Sequence, residues 1–158
     1  FLMRYLSGQL TGKAIIEFEM AKTVAAVQSM MDAWGQSGTV GRLLKSTYGD
    51  FLFIIGYSGT LFYGCRYFGG LAENFILKKA GKIFSMLAIV AGLSDVLENL
   101  CMIYTLKVGK VDWVIHFTYD LARIKFSLIF ILLIYIVICI LFWVIDRISE
   151  KKKFRESV

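Results

Sequence analysis

Residues 83–105 read IFSMLAIVAGLSDVLENLCMIYT. The stretch is long and apolar enough to cross a bilayer as a helix, yet its second half carries Asp95, Glu98 and Asn99. These three stand at i, i+3 and i+4, so a helix puts them on one face. Ionisable groups at membrane depth are costly and turn toward a bundle interior, a cavity or a partner. What meets that face is the main question the sequence raises.

Working outward, residues 126–145 (FSLIFILLIYIVICILFWVI) contain no charge and would form about 30 Å of helix, the thickness of a hydrocarbon core. Asp120, Arg123 and Lys125 stand just before this run. The predicted span is 119–146, followed by a basic tail over 147–158. On the other side, about 50–68 (DFLFIIGYSGTLFYGCRYF) reads as a further span. Its Gly56, Ser58, Gly59, Thr60 and Gly64 would let helices approach closely, since packing drives association in a membrane. Residues 69–82 read as a polar connection holding Lys78, Lys79 and Lys82, and 107–112 as a short loop at Gly109.

Upstream, 14–34 has the period of one amphipathic helix. Ile16, Met20, Val24, Val27, Met31 and Trp34 form its apolar stripe, with Glu19, Lys22 and Ser29 on the other side. Such a helix suits the membrane surface, with Trp34 at the interface; docking to a partner is the competing reading. Residues 35–41 (GQSGTVG) read as a loop, and 7–12 as a break. Residues 1–6 read as the end of an upstream membrane segment or as an irregular lead-in.

Composition agrees with an all-α integral membrane helical bundle forming a single domain over 1–158. Hydrophobic residues make up 58% and charged residues 19%, against roughly half and a quarter in soluble domains. Proline is absent, which favours unbroken helices, and no repeated alternating strands suggest a barrel. Cys65, Cys101 and Cys139 lie in apolar segments without C-x-x-C spacing. The lone histidine, His116, cannot build a multi-histidine zinc site. With no glycine-rich phosphate loop either, the sequence presents no motif for a metal or an organic cofactor. The net charge of +6 is weighted toward the tail, as in a cytoplasmic juxtamembrane segment. No basic-aromatic module for nucleic acid is present.

With the tail in the cytoplasm, the 107–112 loop and Asp50 lie outside and the lysines of 78–82 inside. Asp95 and Glu98 then fall in the outer half of the core. Tyr57 sits about two turns below Asp50. The pattern predicts an outward-facing polar pocket of Asp50, Tyr57, Asp95, Glu98 and Asn99, with Lys125 or Arg123 as counter-charge. Glu17 and Glu19 stand on the helix over its mouth. The competing reading is that the same polar residues are interhelical glue.

Glu17-Phe18 with Thr23, Trp34, Asp50-Phe51-Leu52-Phe53 with Tyr57, Asp95-Val96-Leu97-Glu98-Asn99 and Lys125-Phe126 together carry a resemblance. The chain resembles a family of small uncharacterised bacterial multi-pass membrane proteins with an intramembrane D-x-x-E-N motif. The resemblance implies the bacterial inner membrane, and a further helix upstream that would make four spans. It implies no reaction.

Three functions follow as expectations. The first is a structural or accessory subunit of a larger membrane complex. The second is a binding protein or enzyme for a lipid-like or small amphiphilic ligand. The third is a proton- or cation-coupled carrier subunit, which three or four spans could form only by oligomerising. The expected partners are membrane lipid and other membrane subunits or further copies of the chain, not nucleic acid.

Overall fold

Helical periodicity becomes five α-helices in the computed structural model, which describes residues 12–35, 39–72 and 74–156. They are α1 (Gly12–Glu19), α2 (Val24–Gly35), α3 (Thr39–Leu71), α4 (Phe75–Lys107) and α5 (Asp112–Glu156). The expected all-α class holds, with no strand among the described residues. The expectations placed on residues 1–11, and on 36–38 of the loop after Trp34, lie outside the described residues.

Two helices are long and apolar enough to cross a membrane, with mean hydropathy 1.7 for Phe75–Lys107 and 3.4 for Asp112–Ser149. The sequence reading named a third in 50–68. That stretch is helical and belongs to α3, which at 33 residues matches α4 in length. Its glycines, hydroxyls and tyrosines dilute the apolar run below the other two.

Element boundaries differ from expectation where side-chain capping decides them. The polar connection read over 69–82 shrinks, because α3 continues to Leu71 and α4 starts at Phe75. Asn74 supplies the start: its Oδ1 accepts from the amides of Ile76 (2.9 Å) and Leu77 (3.3 Å), two donors left over at a helix N-terminus. Lys78, Lys79 and Lys82 are therefore helical. The basic tail likewise continues α5 as far as Glu156.

The stretch read as one amphipathic helix, 14–34, is two helices separated at 20–23. Thr23 starts the second, its Oγ1 accepting from the Ala26 amide at 3.2 Å. Thr23→Ala should cost about 1 kcal/mol of stability. It is measured as a lower thermal midpoint in detergent, and Thr23→Ser should restore it. The break also changes which face of α1 is inside. Ile15, Phe18 and Glu19, at i, i+3 and i+4, turn inward, while Ile16 and Met20 are exposed.

The chain packs as two compact units. One takes residues up to Gly56 and Gly92–Phe126; the other takes Tyr57–Ala91 and the chain from Ser127 onward. The first is built on Phe18, Ala21, Val27, Leu43, Met102 and Ile115, with Trp34 packed against them. The Trp34 and Phe18 rings lie 5.7 Å apart at 39°. The Thr47 and Thr118 hydroxyls donate to the carbonyls of Leu43 and Val114, one turn back on their own helices, so neither buried hydroxyl is left unsatisfied.

The second unit is organised by Tyr135. Its ring stacks on Phe84 at 4.4 Å, and its hydroxyl donates to the Leu77 carbonyl at 2.8 Å. Leu61, Cys65, Ala88, Leu132 and Cys139 complete the buried cluster. The helices meet at glycines. A Cβ on Gly81 would lie 2.8 Å from the Cys65 carbonyl oxygen, and one on Gly69 would lie 2.3 Å from the Tyr135 oxygen. Only a residue without a side chain fits at either crossing.

Candidate functional site

From Leu93 to Leu100 on α4, the polar residues point in and the leucines out. Asp95, Glu98 and Asn99 are 3%, 0% and 2% exposed, whereas Leu93, Leu97 and Leu100 are 58%, 46% and 51% exposed. A helix packed in water has the opposite arrangement.

Lys125 meets the buried face from α5. On this part of the helix Val114, Ile115, Thr118, Leu121, Ala122 and Lys125 are buried at helical spacing. Lys125 Nζ donates to Asp95 Oδ1 at 3.0 Å and lies 2.8 Å from Glu98 Oε2. Glu19 Oε2, from α1, lies 3.7 Å away. A second polar pair adjoins: Asn99 Nδ2 donates to Asp50 Oδ2, on α3, at 3.0 Å. Four helices thus contribute to one buried ionic cluster.

Among the described residues, the carboxylates close to Lys125 outnumber the ammonium. Three carboxylates surround one ammonium, so at most one is neutralised by it. Buried ions are tolerated when paired and hydrogen-bonded, and excess negative charge is relieved by a proton or another cation. Glu98 is the least satisfied member. It is fully buried, its pairing with Lys125 is not an aligned hydrogen bond, and neither of its oxygens has a hydrogen-bond partner among the described residues. Glu19 stands outside the apolar spans. Burial, opposed by Lys125 and reinforced by Asp95 and Asp50, pushes its carboxyl up to about 7. Among the described residues no group of His, Cys, Asp and Glu side chains is arranged to hold a metal ion. Here the cation among the carboxylates is the lysine itself. A small cavity, ≈ 10 Å³, lies in the same unit among Phe18, Val27, Met102, Thr105, Ile115 and Thr118. It has room for about one water molecule.

The structure brings together Asp50, Asp95, Glu98, Asn99 and Lys125 of the residues singled out from the sequence. Of the other two, one is grouped with the second unit and one is exposed. Tyr57 belongs to the second unit, where it packs against the Leu61–Tyr135 cluster. Arg123 is exposed, its guanidinium 5.6 Å from the centre of the Tyr119 ring. Its place two residues before Lys125 turns it away from α4, since positions two apart do not share a helix face. Sequence reasoning missed Glu19 as a member of the cluster. Reading 12–19 as a helix by itself would have found it, because Glu19 shares a face with Ile15 and Phe18. Extending one helix through 20–23 assigned it to the polar side. Compared with known proteins, the chain matches no protein-family model, no curated protein and no solved structure.

Proposed function

We propose that the chain is an integral membrane protein that takes up and releases protons at the Lys125 cluster, serving as a proton-linked subunit. The observation that carries this reading is the gathering of three buried carboxylates, Glu19, Asp95 and Glu98, within 4 Å of the Lys125 ammonium. The inverted polarity of α4 and the exposed apolar surface of α5, whose most apolar window is only 17% buried, support a lipid surround. In this reading α3 crosses beside α4 and α5, and the basic end of α5 lies in the cytoplasm.

The test is a proton count on the purified protein in detergent. Wild type should release about one more proton per chain than Glu19→Gln on going from pH 6 to pH 8, and Glu98→Gln, by removing a neighbouring carboxylate, should change the pH at which that proton leaves. Identical titration of wild type and both variants would sink the reading. Stability carries the same signature. Glu19 has its folded value raised from 4.5 to about 7, so folded protein holds the proton over that window and unfolded chain does not. The stabilisation this provides is full below about pH 4.5 and is lost as pH rises through about 7. Glu19→Gln should flatten that part of the stability profile.

A second reading, an accessory subunit of a larger membrane complex, is favoured by the other glycines of α3. A Cβ at Gly56 or Gly59 would meet nothing within 4 Å, which leaves room for the close approach of another helix. Co-purifying chains lost on Gly59→Leu would support it.

A further inference from the structure

The second unit carries a charged feature that the proton site does not use. Arg66 on α3 and Lys78, Lys79 and Lys82 on α4 are all exposed. Residues 57–91 carry these four basic side chains against one acidic residue, Glu73. Their direction follows from the packing. α5 lies against the Leu77 and Phe84 edge of α4 through Tyr135. Lys78 and Lys82 each follow a contact residue, Leu77 and Gly81, by one position, about 100° further round the helix. They point away from α5, and Lys79 is three residues from Lys82 on the same side. α3 and α4 are joined by 72–74 and run antiparallel, so the residue after a contact on each turns to the same side. Arg66 is that residue on α3, following Cys65, whose carbonyl faces Gly81. Its guanidinium lies 5.8 Å from the centre of the Phe62 ring.

Around these cations the surface is apolar and aromatic. Tyr63, Tyr67, Phe75 and Ile76 are between 63% and 78% exposed. Tyrosine and phenylalanine beside basic side chains suit the depth where lipid headgroups meet acyl chains. A guanidinium and ammonium groups on one side suit a phosphate diester.

We infer that this side of α3 and α4 binds the headgroup of an anionic phospholipid, Arg66, Lys78 and Lys82 holding the phosphate and Tyr63, Tyr67 and Phe75 flanking it. A lipid is favoured over a free anion because the cations border exposed apolar surface instead of a polar cleft. The inference rests on the membrane reading and is independent of whether the Lys125 cluster titrates.

The test reconstitutes the full chain in nanodiscs of phosphatidylcholine with a minority of phosphatidylglycerol and measures the ratio of the two lipids retained by the protein after extraction. Wild type should enrich phosphatidylglycerol severalfold over the bulk mixture. The triple variant Arg66→Gln, Lys78→Gln, Lys82→Gln should fall to the bulk ratio, while Lys45→Gln, an exposed basic position of the first unit, should keep the enrichment. The inference is overturned by an unenriched wild type, by equal loss in Lys45→Gln, or by displacement of the lipid with inorganic phosphate. Failure of wild type to enter any nanodisc overturns the membrane reading as well.

Discussion

Lys125→Met is expected to destabilise the protein by about 3–5 kcal/mol at pH 8, the cost of removing one partner from a buried ionic group. The side chain is nearly isosteric, so packing is kept and the loss is electrostatic. Nζ lies 3.0 Å from Asp95, 2.8 Å from Glu98 and 3.7 Å from Glu19. Without it, three buried carboxylates face one another and must bind protons or open the site to water. Acid should therefore rescue the variant, narrowing the gap to wild type at pH 5. Adding Glu98→Gln should recover part of the loss at pH 8, because the fully buried, poorly hydrogen-bonded carboxylate is then neutral. Thermal unfolding in detergent at both pH values measures this. An unchanged midpoint at pH 8 would show that the lysine is not the counter-charge on which the cluster depends.

Gly81→Leu should cost about 3 kcal/mol or more by overpacking. The first atom of any side chain there would lie 2.8 Å from both the Cys65 carbonyl oxygen and the Tyr135 hydroxyl oxygen. One obstacle is backbone and cannot rotate aside. The other holds a hydrogen bond to Leu77 that is lost if the ring moves. Gly59→Leu is the matched control, with the same change on a helix whose glycine opens on free space. It should leave the thermal midpoint of the isolated chain within about 0.5 kcal/mol of wild type. If the two variants melt alike, the close crossing of α3 and α4 does not limit stability.

Much of the cluster was legible because its signals are local. D-x-x-E-N inside an apolar run places three polar groups on one helical face whatever surrounds it, and a lysine at the mouth of the next apolar run is a natural counter-charge. Asp50 shared that legibility as the first residue of an apolar segment. Tyr57, seven residues on, was drawn in by the same helical spacing, and it packs against the Leu61–Tyr135 cluster. Arg123 and Lys125 were equivalent counter-charges in sequence, and only packing separates them. α5 has one inward stripe, and 125 continues the spacing of 118, 121 and 122 while 123 does not.

The sequence by itself determined the helical class, the two strongly apolar helices and the polar face of α4, because length, hydropathy and i, i+3, i+4 spacing act within one segment. Only the tertiary structure decided that Glu19 joins Lys125, that Arg123 turns outward, and that Tyr135 sits where Gly69 and Gly81 leave room. Those outcomes depend on where helices stop and which side chains meet across them. Thr23 and Asn74 set such boundaries through single hydrogen bonds, and a shift of one residue turns a helix by about 100°, enough to carry a carboxylate from the surface into the core.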